Sequence, residues 1–142
     1  MEFLSSPEDR QFTVSKHDES LARTVLIVED DLLFRASLCE LLESLGLDVR
    51  PAADAQEAIR ALRTTTFDAV ITDMDIPGSG SSVLEFAESF RPETPVIILT
   101  ALPPSRVPTR HAFRRLFKPA SVGQIRSALS DAFDGRGSKA GS

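Results

Sequence analysis

The sequence predicts an α/β fold in which a doubly wound, five-stranded parallel sheet carries helices on both faces. Short apolar runs alternate about five times with amphipathic segments, the pattern of right-handed strand–helix–strand crossovers. The runs are apolar on both sides, as strands covered by helices from above and below must be. Several of them then stop abruptly at an acidic, hydroxyl or basic residue.

The first run, Thr24-Val25-Leu26-Ile27-Val28, is rich in β-branched residues and ends at Glu29-Asp30-Asp31. Leu33, Phe34, Ser37, Leu38, Leu41, Leu42 and Leu45 then recur at helical spacing, with Gly46 placed for a left-handed cap. Residues 47–50 make a short second strand. Asp54-Ala55-Gln56-Glu57 has the capping-box pattern and opens a second helix near Ala55. The third strand is expected over 67–72, a third helix over 81–90 and a fourth strand over 96–100. Leu116 and Phe117, before Lys118-Pro119, form a short fifth strand. Ser121 with Gln124 repeats the capping box and starts a last helix through Ile125, Leu129 and Phe133.

Between the fourth and fifth strands the pattern weakens. Pro103, Pro104 and Pro108 fall in a short stretch, and each interior proline removes a helical hydrogen bond at a cost of about 3 kcal/mol. The helix of this crossover is therefore expected to be shortened or missing, with at most one turn near Thr109–Phe113. The rest of the chain divides into a flexible N-terminal extension (1–22), one folded body (23–134) and a flexible Gly/Ser-rich tail (135–142).

Composition narrows the function. The chain is 42% hydrophobic and 26% charged, ordinary for a globular domain. No apolar run reaches the roughly 20 residues of a membrane span, and Met1–Asp9 does not resemble a secretory signal, so the expected compartment is the cytoplasm and no membrane partner is expected. The net charge of −5 argues against a nucleic-acid partner. Cys39 is the sole cysteine, which excludes an intrachain disulfide; its helical position predicts an inert buried thiol.

In open parallel sheets ligands bind at the carboxyl ends of the strands. Glu29, Asp30, Asp73, Thr100 and Lys118 all stand at such ends. Three carboxylates on one edge repel by about 4 kcal/mol per close pair at an effective dielectric near 20, so a hard divalent cation, best Mg²⁺, is expected among them. A carboxylate nucleophile, a metal, a hydroxyl and a lysine are the parts that phosphoryl transfer needs.

Four motifs, Val25–Asp31, Asp68–Gly78, Ile98–Ala101 and Phe117–Pro119, resemble those of the bacterial two-component response-regulator receiver family, in order over about residues 24–133. The resemblance implies a flavodoxin-like receiver fold of the single-domain, chemotaxis-regulator type. It further implies phosphorylation of Asp73 by a sensor histidine kinase or histidine phosphotransfer protein, with output to a downstream protein. Glu29, Asp30 and Asp73, with the backbone carbonyl of Asp75, are then the Mg²⁺ ligands. Thr100 and Lys118 contact the phosphoryl group, and a cis peptide precedes Pro119. Asp31 is read as a helix cap, and His17 and His111 as surface residues.

The chain also departs from that pattern. Ser79-Gly80-Ser81 stands where the family has an acid followed by glycine, and a serine cap for the third helix is expected. Arg115 takes the place of the family's switch aromatic, there is no tyrosine, and Phe113 and Phe117 are the neighbouring aromatics. Arg106, Arg110, Arg114 and Arg115 give the segment a basic cast, read either as solvated charge or as a docking patch for an acidic partner. Two other functions stay open. Asp73-Met74-Asp75 resembles the first motif of haloacid-dehalogenase-type phosphohydrolases, although that motif normally closes the first strand. A receiver fold can also serve as a phosphorylation-independent interaction module.

Overall fold

The computed structural model describes residues 22–135. The expected extension and tail lie outside them but for Ala22 and Gly135, as does His17. Within these residues five strands, β1 (Thr24–Val28), β2 (Asp48–Ala52), β3 (Ala69–Thr72), β4 (Val96–Thr100) and β5 (Arg114–Phe117), pair in parallel in the order β2-β1-β3-β4-β5. Helices α1 (Leu32–Ser44), α2 (Ala55–Thr64), α3 (Gly80–Phe90) and α4 (Val122–Asp134) connect and cover them.

Alternation along the strands divides the core in two. Val25, Ile27, Ala69, Ile71, Ile97 and Leu99 pack against Leu38, Leu42 of α1 and Ile125, Leu129 of α4. Leu26, Val28, Val70, Val96 and Ile98 point the other way, against Ala58, Leu62 of α2 and Val83, Leu84 of α3. Both faces of the sheet are buried, which is why the central strands read as unbroken apolar runs.

The caps fall at the expected residues. Asp31, Asp54, Ser79 and Ser121 each accept a backbone N–H from the first turn of their helix, and Ser121 with Gln124 forms the full capping box. At α2 the return bond differs: Glu57 accepts from the N–H of Ala53 instead of that of Asp54. Strand β2 runs to Ala52, two residues past the expected end, and tolerates Pro51 because it is an edge strand. Two burial expectations fail. Leu33 is 78% exposed in the first turn of α1, ahead of the buried positions Leu38, Leu41 and Leu42. Cys39 is only half-buried, and burial followed by the nearby Glu43 pushes its thiol pKa up, away from the reactive thiolate.

The crossover from β4 to β5 contains no α-helix. One 3₁₀ turn forms, at Pro104–Arg106 and not at Thr109–Phe113 as expected. Pro104 opens the turn, a position whose N–H has no helical partner and whose φ proline already fixes. Farther on, His111 has φ 68°, which breaks any helical run there. Buried Val107 and Ala112 fill the space beside α3 on this face. The segment is tied down by Arg115, whose guanidinium donates to the carbonyls of Pro104 (3.4 Å) and Val107 (3.2 Å). Arg114 donates to Asp131 of α4 at 2.7 Å. Of the four arginines noted in the sequence, two therefore hold the fold together, and Arg106 and Arg110 are the exposed pair.

Candidate functional site

The site forms where β1, β3, β4 and β5 end together. Backbone bonds continue past each strand end: Asp73 N–H donates to the Val28 carbonyl at 3.0 Å, and Lys118 N–H to that of Thr100 at 2.8 Å. The ladder thus sets Glu29, Asp73, Thr100 and Lys118 side by side at one edge. Glu29, Asp73 and Thr100 are all buried.

Asp73 is the hub. Its Oδ1 accepts from the Thr100 hydroxyl at 2.6 Å and from the Asp75 N–H at 3.1 Å. Its Oδ2 accepts from the Lys118 ammonium at 2.9 Å. Burial pushes the carboxyl pKa up, but the bonds from Thr100, Asp75 and Lys118 outweigh burial and hold it below the ordinary aspartate value. Asp73 is accordingly an anion at neutral pH.

Lys118 also donates to Glu29 Oε1 at 2.7 Å, so one ammonium bridges two buried carboxylates. Burial would lower the Lys118 pKa, yet the bonds to Glu29 and Asp73 raise it, and it stays charged. For Glu29 burial dominates over Lys118 and the Asp31 N–H, and its pKa is raised. The peptide between Lys118 and Pro119 is cis.

One expected member of the site stands apart. Asp30 is exposed, and among the described residues no three acidic, histidine or cysteine side chains gather closely enough to enclose an ion. The expected repulsion of three carboxylates is not what this edge contains: two carboxylates share the Lys118 ammonium, and Asp30 points to water. Asp75 meets Asp73 through its N–H.

Three residues matter here that the sequence reading did not single out. A Cβ on Gly80 would sit 2.4 Å from the Asp73 carbonyl oxygen and 2.6 Å from Met74 Cα, so only glycine lets α3 start against the turn that follows Asp73. Arg35 donates to the Glu29 carbonyl at 2.8 Å and fixes α1 to the end of β1. Phe34 places its ring 4.2 Å from Lys118 Nζ. Gly80, seven residues after Asp73 in the run Ser79-Gly80-Ser81, was the one legible signal. His111, read as a surface residue, stands half-buried with Nδ1 3.6 Å from Glu88 and takes no part in this edge.

A doubly wound sheet whose strand ends join an anionic aspartate to a hydroxyl and an ammonium defines a phospho-accepting signalling module. A family model for the response regulator receiver domain matches residues 25–130, and the chain belongs to that family of two-component signalling domains. The response regulator protein PilR of Pseudomonas aeruginosa is 33% identical over 112 residues, 75% of this chain and 25% of that protein. The chain thus spans a quarter of that relative's length. A receiver domain protein from Clostridium thermocellum superposes with a TM-score of 0.69 at 28% identity, covering 79% of this chain and 94% of that one. Response regulator TrrA of Thermotoga maritima, solved in complex with Mg²⁺ and BeF, shares the fold with a TM-score of 0.73 at 24% identity, over 78% of this chain and 98% of that one. Among the described residues no helix is long and apolar enough to cross a membrane.

The donor chemistry suits a hard cation. Glu29, Asp30 and Asp73 offer only oxygen, and with Lys118 they sum to a formal charge of −2. A cation at Glu29 would compete with the Lys118 ammonium, which uses the same carboxylate.

Proposed function

We propose that this chain receives a phosphoryl group on Asp73 from the phosphohistidine of a sensor histidine kinase or a histidine phosphotransfer protein, in the cytoplasm, and passes the signal to a downstream protein. The observation that carries the reading is the anionic Asp73 carboxylate held between the Thr100 hydroxyl and the Lys118 ammonium. In the transfer a carboxylate oxygen forms a bond to phosphorus while the phosphorus–nitrogen bond of the donor breaks. The electron pair returns to the imidazole, and the product is an acyl phosphate on Asp73. Lys118 balances the added charge, and Thr100 offers its hydroxyl to a phosphoryl oxygen. Glu29, Asp30, Asp73 and the Asp75 carbonyl would hold Mg²⁺, which when bound would supply charge to neutralise the transferring oxygens.

Exposed Leu32 (66%) and Leu33 (78%) flank this edge and offer the donor protein an apolar landing surface. The reading is of a phospho-acceptor rather than an enzyme acting on an outside substrate, although small phosphodonors and self-hydrolysis fall within the same chemistry. A haloacid-dehalogenase-type activity is not favoured, because Asp73 closes the third strand of a receiver sheet and not the first. The test is intact mass after incubation with Mg²⁺ and acetyl phosphate. The parent should gain one phosphoryl group and Asp73→Asn none. A parent that never labels, from small donors or kinases, would leave only the static interaction module.

A further inference from the structure

We propose that Phe34 is a positioning residue for Lys118: its ring holds the ammonium over Asp73, a role that rests on the reading of Asp73 as phospho-acceptor. An ammonium has three donors. Glu29 and Asp73 take two, at 2.7 and 2.9 Å, and the Phe34 ring centroid lies 4.2 Å from the same nitrogen. Among the described residues this is the shortest cation–ring contact. The others, all to arginines, run from 5.0 to 5.6 Å. A desolvated ammonium gains most from such a contact, and the Lys118 side chain is only 20% exposed.

The local backbone fixes the ring in place. Asp31, the cap of α1, accepts the Phe34 N–H at 2.9 Å, and its own N–H donates to Glu29 Oε2 at 3.0 Å. Arg35 ties the same turn to the Glu29 carbonyl at 2.8 Å. The turn that carries Phe34 is thus anchored to one of the two carboxylates that Lys118 bridges. The ring shields the ammonium from water and gives Lys118 a third contact beside its two carboxylate bonds, held in place also by the Arg35 bond to the Glu29 main-chain carbonyl.

The test uses the whole chain with two substitutions, Phe34→Leu, which keeps an apolar side chain, and Phe34→Tyr, which keeps the ring. In proton NMR the Lys118 ε-methylene protons of the parent should show an upfield ring-current shift. Phe34→Tyr should keep it and Phe34→Leu lose it, while thermal melts report that each variant folds. Labelling of Asp73 by acetyl phosphate should slow about five- to tenfold in Phe34→Leu and recover in Phe34→Tyr. An unshifted Lys118 resonance in the parent overturns the proposal without any variant. So does a folded Phe34→Leu that labels at the parental rate. If the parent itself takes no label, the acceptor reading fails and the proposed role falls with it, whereas the parental ring-current shift still tells whether the ring holds the ammonium.

Discussion

Two neighbouring regions of this molecule solve the same problem by different means. At the edge formed by the ends of β1, β3, β4 and β5, the side chains of Glu29, Asp73, Thr100 and Lys118 are joined to one another by hydrogen bonds of 2.6 to 2.9 Å. In the segment from Leu102 to Phe113, a few residues beyond Thr100, a helix has been replaced by one 3₁₀ turn, two buried side chains and the arginine clasp of Arg115. The two meet at Thr100, whose hydroxyl donates to Asp73 and accepts the Leu102 N–H at 3.3 Å. The contrast is between four side chains held at fixed distances and a crossover built from whatever packs against β4 and β5.

The largest expected effect breaks the edge at the strand ends. Lys118→Met leaves two buried carboxylates facing each other and should cost about 3 to 5 kcal/mol at neutral pH, read by denaturant unfolding. The pH dependence has a definite sign. Asp73 is held below its ordinary value, so its contribution is present above about pH 4 and is lost as the pH falls through the lowered value. Lys118 is held above its ordinary value, so its contribution is present below about pH 10.4 and fades as the pH rises through the raised value. The parent should lose that alkaline increment and Lys118→Met should have none to lose. Equal alkaline profiles would contradict the bridge.

Next in size is Gly80→Ala, expected to cost about 3 kcal/mol because its new methyl meets backbone atoms of Asp73 and Met74 that cannot step aside. Gly123→Ala, in α4 with only Ser121 Oγ at 3.8 Å, should instead be neutral or stabilising by about 1 kcal/mol. Similar melting temperatures for the two variants would deny Gly80 its special place. Mg²⁺ at a hundred times its dissociation constant should stabilise the parent by about 2.7 kcal/mol, and Asp30→Ala should lose most of that gain. An unchanged Mg²⁺ response in Asp30→Ala would remove Asp30 from the proposed ligand set.

The smallest effect sharpens the comparison from the other side. Arg115→Ala removes the clasp on the Pro104 and Val107 carbonyls and should cost about 1 kcal/mol. Hydrogen exchange should quicken at Leu102 and Val107 and stay unchanged in α1. Asp73 should still label at close to the parental rate. A matching loss of labelling would mean that the two regions are not separable.

Much of this was legible in the sequence because strand ends and helix caps are local. Val96–Thr100 reads as a strand from composition alone, and Ser121 with Gln124 announces its helix. That Glu29, Asp73, Thr100 and Lys118 meet was legible because four strand ends must share an edge once the sheet is parallel. Side-chain direction at the edge was not. Periodicity counted Leu33 with the core although it is exposed, and the strand-end position with the family resemblance drew Asp30 in beside Glu29 although its side chain turns to water. The prolines were read only as helix breakers, yet Pro104 begins the one turn that forms. Contacts such as Phe34 on Lys118 join residues far apart in the chain, and no local pattern carries them.

The central claim is that Asp73 is the group that takes the phosphoryl. It is tested most directly by labelling the intact chain with acetyl phosphate and Mg²⁺, reducing the acyl phosphate with borohydride and mapping the product by peptide mass. The account predicts homoserine at position 73 and at no other acidic residue. Homoserine at Asp30, Asp75 or elsewhere, with position 73 unchanged, would contradict it.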